Sequence, residues 1–117
     1  MMSITRISPG PRMSAIVIHH DTVYLAGQVA LDSPGESVTA QTTNALERID
    51  SLLEQAGTSK SNILSATIWI TDMGTFDEMN AVWDAWIDPE NPPARACVES
   101  NLAAPQFAVE IGIIAAK

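Results

Sequence analysis

Hydrophobic positions along this chain follow two periods. Ala15–Ile18 and Val23–Val29 are apolar, β-branched-rich runs separated by His19-His20-Asp21-Thr22, and four turn-like residues between such runs predict a β-hairpin. Asp32-Ser33-Pro34-Gly35 ends the second strand, and the pattern also allows a short strand near Ile4–Ile7. From Thr39 to Ala56 the period becomes helical. Leu46, Ile49, Leu52, Leu53 and Ala56 form one stripe opposite Glu47, Arg48, Asp50 and Glu54, and Gly57 supplies a stop. Leu64, Ala66, Ile68 and Ile70 then alternate with Ser65, Thr67, Trp69 and Thr71, the period of a strand.

A second helix is announced by Thr75 and Glu78, which match a capping box, and carries the stripe Phe76, Met79, Val82, Trp83 and Trp86. Asp88-Pro89 stops it. Pro92-Pro93 introduces a strand over Ala94–Ser100, and Phe107–Ala115 is a long apolar final strand. The expected fold is α+β in the order β-β-β-α-β-α-β-β, a single mixed sheet of five or six strands with two helices on one face. Two helices cover only one face, yet Ala15–Ile18, Val23–Ala26 and Ile111–Ala115 are apolar on both. Self-association is the economical cover for the other face, and a tightly curled monomer is the alternative.

Composition narrows the classes of function. The 117 residues suit one domain, and 46% hydrophobic against 17% charged residues suits a packed core. No apolar run approaches the roughly 20 residues that span a bilayer, so no membrane association is expected. Met1–Gly10 carries Arg6 and lacks the apolar run of a secretory signal, and one cysteine fits a reducing compartment; the cytoplasm is the expected location. Six Lys+Arg against fourteen Asp+Glu give a net charge of −8, and no basic cluster offsets it, so nucleic acid is a poor partner. His19 and His20 are adjacent and diverge, and Cys97 is the only thiol, so no metal site is expected.

Ala94–Ser100 carries the candidate chemistry. On a strand, Arg95, Cys97 and Glu99 face one way and Ala94, Ala96 and Val98 the other. If the small side chains pack against helices, Arg95 and Cys97 turn to the uncovered face. There the planar guanidinium suits bidentate recognition of a carboxylate. Glu110, flanked on its own face by Ala108 and Gly112, has room beside it in an otherwise apolar strand. A buried ion pair between Arg95 and Glu110 is the plain alternative. Cys97, with no base nearby in sequence, reads as pocket lining rather than as a nucleophile.

Taken in order, these residues resemble the RidA-like (YjgF-type) family of imine/enamine deaminases. The resemblance runs from Gly10-Pro11 nearly to the C-terminus. Its most specific piece is Pro93-Ala94-Arg95-Ala96-Cys97-Val98-Glu99 with Val109-Glu110-Ile111; Ala26-Gly27-Gln28, Ala40-Gln41-Thr42, Ala56-Gly57 and Asp72-Met73 leading to Asn80 support it. The resemblance implies a chorismate-mutase-like fold with sheet order 1-2-3-6-4-5, and a homotrimer with sheets inward and ligand clefts between subunits. A direct hairpin of the last two strands is the competing topology. It also implies hydrolysis of 2-imino or enamine acids to a 2-keto acid and ammonia without a cofactor. Arg95 would hold the substrate carboxylate and Glu110 would manage a water, while Gly27, Cys97 and Asn80 help position the ligand. A non-catalytic module binding small carboxylates in the same cleft is the alternative function. The chain departs from the family where Arg12-Met13-Ser14 follows Gly10-Pro11 in place of the usual tyrosine, and where Ala26 replaces a serine; Arg12 itself could offer an anion contact from a neighbouring subunit.

Overall fold

The computed structural model of the chain describes residues 3–117. Its strands are β1 (Ile4–Pro9), β2 (Ser14–His19), β3 (Thr22–Leu25), β4 (Gln28–Val29), β5 (Ile63–Ile70), β6 (Ala94–Glu99) and β7 (Val109–Ala116), and its helices are α1 (Val38–Gln55) and α2 (Phe76–Trp86). They form one mixed sheet in the order β1-β2-β3-β7-β5-β6, with β4 also paired to β7. Only β5 and β6 run parallel, joined by the crossover through α2. The expected α+β class and strand order are both present. The competing hairpin of the last two strands is overturned, because β5 lies between β6 and β7.

Both helices lie on one face. Ile16, Ile18, Val23 and Leu25 from the first strands join Ala66, Ile68 and Ile70 of β5 and Val109, Ile111 and Ile113 of β7 in a core closed by Leu46, Ile49, Leu53, Met79 and Trp83. The alternate residues of the same strands stay uncovered: Tyr24 is 43% exposed, Val98 43% and Ile114 37%. Full burial of one such side chain is worth about 1.5–3 kcal/mol, so this face retains a substantial drive to be covered.

Four local expectations are corrected. The strand expected over Val23–Val29 breaks at Ala26-Gly27 into β3 and β4. The β2–β3 turn is tighter than four residues: His19 pairs with Thr22, leaving His20-Asp21 as the loop, with His20 in the left-handed region at φ 54°. Leu64 is not a core residue. A register shift between Ile63 and Ser65 turns Ile63 inward and leaves Leu64 52% exposed. The capping box at α2 does not form either. Thr75 Oγ1 donates to the Asp72 carbonyl. Glu78 instead reaches across to α1, where Oε2 accepts from Thr39 N at 2.8 Å and Thr39 Oγ1 at 2.9 Å. A carboxylate satisfies more free donors at the start of α1, whose own cap Ser37 serves only Ala40 N.

Ala40-Gln41-Thr42 has a structural role. Gln41 is 1% exposed; its Nε2 donates to the carbonyls of Glu36 and Gln106, and its Oε1 accepts from Ala108 N at 2.8 Å. It therefore ties α1 to the chain entering β7. Gln41→Leu should strand these buried groups and lower stability by about 2–4 kcal/mol in urea denaturation, since each orphaned buried group costs roughly 1–3 kcal/mol. Glu78→Ala should cost about 0.5–2 kcal/mol, as for loss of a helix cap, and Thr75→Ala distinctly less.

Candidate functional site

Glu110 lies on the uncovered face of β7, beside Val29 of β4 and Trp69 of β5. Gly27 is brought against it. A Cβ built on Gly27 would overlap Glu110 Oε2 and approach Cδ to 3.1 Å, so any larger residue there would displace the carboxylate from this position. The break between β3 and β4 falls at this contact. Gln28 fixes the far side of the break: its Nε2 donates to the Ala26 carbonyl at 2.9 Å, and its Oε1 accepts from Arg48 Nε at 3.2 Å. Gly112 does not leave the open space that the sequence suggested, because Trp69 Cζ3 sits 3.2 Å from where its Cβ would be. The indole fills that gap and walls one side of Glu110.

Arg95 is on β6, an edge strand whose only partner is β5. It pairs in register with buried Ala66, and Cys97 pairs with Ile68, so both side chains lie on the helix side. This overturns the expectation that they turn to the uncovered face. The small residues Ala94, Ala96 and Val98, in register with Ser65, Thr67 and Trp69, take that face instead. The physical reason is Trp83. At the sheet edge the ring replaces small-residue packing with a flat apolar surface, and the Arg95 guanidinium lies over it with Cζ 5.4 Å from its centroid.

Arg95 and Glu110 thus occupy opposite faces of one protomer, with β5 between them. Two strand spacings, about 10 Å, separate their strands. The plain intrachain ion pair is thereby excluded, and among the described residues Arg95 has no carboxylate within ion-pairing distance. Cys97 is half-buried against the core, and burial pushes its thiol above the ordinary value while the Arg95 charge pulls the other way. It is a poor nucleophile at neutral pH. Asn80 is on α2, one turn before Trp83, and its Oδ1 is buried without a hydrogen-bond partner. Arg12 is exposed in the β1–β2 turn, at the sheet edge opposite β6, and is not brought near Arg95 within one chain.

Sequence reasoning missed three contributors. Trp83 and Trp69 read as plain core and strand positions, although the run of aromatics was itself a signal. Glu99 was placed beside Arg95 and Cys97 but given no task; its Oε1 accepts from Met73 N at 2.8 Å and anchors the turn into α2.

A mixed sheet with two helices on one face, an interrupted third strand lying against a glutamate of the last strand and an edge strand carrying an arginine define a recognisable class. The family model described as Endoribonuclease L-PSP matches residues 3–117. A RutC family protein of Haemophilus influenzae is 45% identical over 97% of this chain and 98% of its own length. YoaB, a RutC family protein of Escherichia coli K12, is 41% identical over 98% and 99%. A crystal structure of a YjgF family member from Neisseria meningitidis superposes with a TM-score of 0.95 at 42% identity, covering 99% of this chain and 96% of that one. The chain belongs to this family, the YjgF/RidA family that its motifs resemble.

Gly27→Ala should destabilise the protein by about 1–3 kcal/mol, the usual cost of overpacking. The loss should shrink in a Glu110→Ala background, where the overlapping carboxylate is gone; equal losses in both backgrounds would show that Glu110 does not rest on Gly27. Alkylation of Cys97 by iodoacetamide should be slower at pH 7.5 than that of a free thiol and should keep rising to higher pH than for free cysteine.

Proposed function

We propose that the protein hydrolyses reactive 2-imino and enamine acids to 2-keto acids and ammonia, as a cytoplasmic homotrimer with its sites between protomers. The single observation that carries this reading is a guanidinium at an exposed sheet edge, lying over the Trp83 ring and lacking any carboxylate partner among the described residues. Arg95 so placed offers its planar fork to a substrate carboxylate. The opposite faces of Arg95 and Glu110 support a composite site, in which the edge of one protomer supplies the cation and the open face of another supplies the carboxylate.

The chemistry balances with no further reactant than water. The substrate carboxylate is held by Arg95. Glu110 accepts a proton from water as the water oxygen bonds to the imine carbon, and that proton passes to the imine nitrogen. The hydroxyl proton of the resulting carbinolamine then passes by way of Glu110 to the amino nitrogen as the C–N bond breaks and the C=O bond forms, ammonia leaves, and the keto acid remains. Such imines already react readily with water, so positioning and modest base catalysis suffice. Backbone groups at Gly27 and Cys97 and the amide of Asn80 would line the ligand, with Arg12 available from a neighbouring chain. The raised thiol of Cys97 fits lining rather than attack.

A non-catalytic carboxylate-binding module is the second reading, favoured by the fact that one protomer alone does not bring Arg95 and Glu110 together. The family model's description names an endoribonuclease. That activity suits this chain less well, because a net charge of −8 opposes a polyanion.

The deciding experiment generates imines with an amino-acid oxidase and follows their capture by semicarbazide. Wild-type protein should suppress semicarbazone formation, Arg95→Ala should not, and Glu110→Gln should slow turnover at least tenfold while still binding keto acid. Wild-type protein that binds keto acids but leaves semicarbazone formation unchanged would establish the binding module instead. Light scattering should give three copies, and a monomer would remove the composite site.

A further inference from the structure

The geometry points to Trp83 as a positioning residue that orients Arg95 for a small organic carboxylate, which rests on the carboxylate-binding reading above and adds to it. Arg95 projects from an edge strand and is exposed. A long side chain there has many rotamers, and ordering it on binding costs affinity. No carboxylate among the described residues orders it beforehand. Among the described residues it is the Trp83 ring that the guanidinium lies over, and Trp83 itself is 4% exposed and embedded in the core.

The ring is in turn held from behind. Trp86 packs on Trp83 with centroids 5.4 Å apart and planes tilted by 51°. Trp86 Nε1 donates to Asp50 Oδ2 of α1 at 2.9 Å, and Lys60 Nζ lies 5.2 Å from the Trp86 centroid. A chain of contacts therefore runs from Asp50 of α1 through two mutually tilted indoles to the guanidinium. A carboxylate partner would also order Arg95, but it would neutralise the charge and occupy the fork. A ring orders it from one face and leaves the N–H edge free. Prepaid orientation of an uncompensated cation is the property a site for small carboxylates needs.

The test uses pyruvate, the simplest 2-keto acid, titrated calorimetrically into the intact protein. Arg95→Ala should abolish binding. Trp83→Leu should weaken it about three- to tenfold, the range of a cation–π contact, and Trp83→Phe should restore most of the loss because a benzene face remains. In the imine assay the loss from Trp83→Leu should appear in KM, with kcat within twofold of wild type. Should leucine leave the core poorly folded by thermal melting, Trp83→Met, whose flexible side chain refills more of the volume, replaces it in the same comparison. Wild-type pyruvate affinity in the folded leucine or methionine variant, with binding still lost in Arg95→Ala, overturns the role of Trp83 and leaves the carboxylate reading standing. Absence of binding in wild type, or unchanged binding in Arg95→Ala, overturns both.

Discussion

The last strand in sequence lies near the middle of the sheet, and the layout of the candidate site follows from how it is seated there. β7 pairs with β3 and β4 on one side and with β5 on the other. Val109, Ile111, Ile113 and Ala115 are the residues the helices bury, so the strand can take only one register. A slip of one residue would carry the whole apolar set to the other face. Glu110 is thereby held on the uncovered face, and Gly27 is where the neighbouring strand yields to it. The parallel pairing of β6 with β5 is set in the same way by Ala66, Ile68 and Ile70, and it sends Arg95 to the helix side.

Strand alternation and the two helical stripes were legible because burial against a single helical layer imposes clean periods. The uncovered apolar face was legible for the same reason, from runs too hydrophobic for a one-sided sheet. What the periods could not show was which face each strand presents when both are partly apolar. In Ala94–Glu99 the small residues suggested helix packing. Their placement depends instead on an aromatic two turns into α2 that accepts a cation, a tertiary contact that the strand's own residues do not show. The capping pair Thr75 and Glu78 failed similarly, since a better set of donors existed across space at Thr39. Glycine positions were legible as special but not as to why. Gly27 makes room for a carboxylate, whereas Gly112 is covered by Trp69.

With a net charge of −8 the chain offers no long-range attraction to a small anion. Selection of a carboxylate, as proposed above, would then operate at short range, within the roughly 8 Å over which charge is felt at physiological salt. The cations near the helical layer show two ways of being held. Arg48 is engaged by Gln28 and lies 4.0 Å from Asp32, while Arg95 and Lys60 lie over indole rings. The first arrangement spends the cation on structure. The second keeps it available.

A composite site also constrains how copies can meet. Two identical open faces packed about a twofold axis would place like surfaces together, bringing Glu110 of one copy toward the same surface of the next and leaving both Arg95 side chains on the outer, helix side. In the proposed composite site the cation of one chain meets the carboxylate of another by setting an edge against a face, so that unlike surfaces are in contact. Contacts of that heterologous kind repeat from copy to copy and close only as rings. A ring with its open faces turned inward would also cover Tyr24, Val98 and Ile114, which are exposed in the single chain. Burial of the second face and the proposed union of Arg95 with Glu110 are therefore met by one and the same kind of assembly.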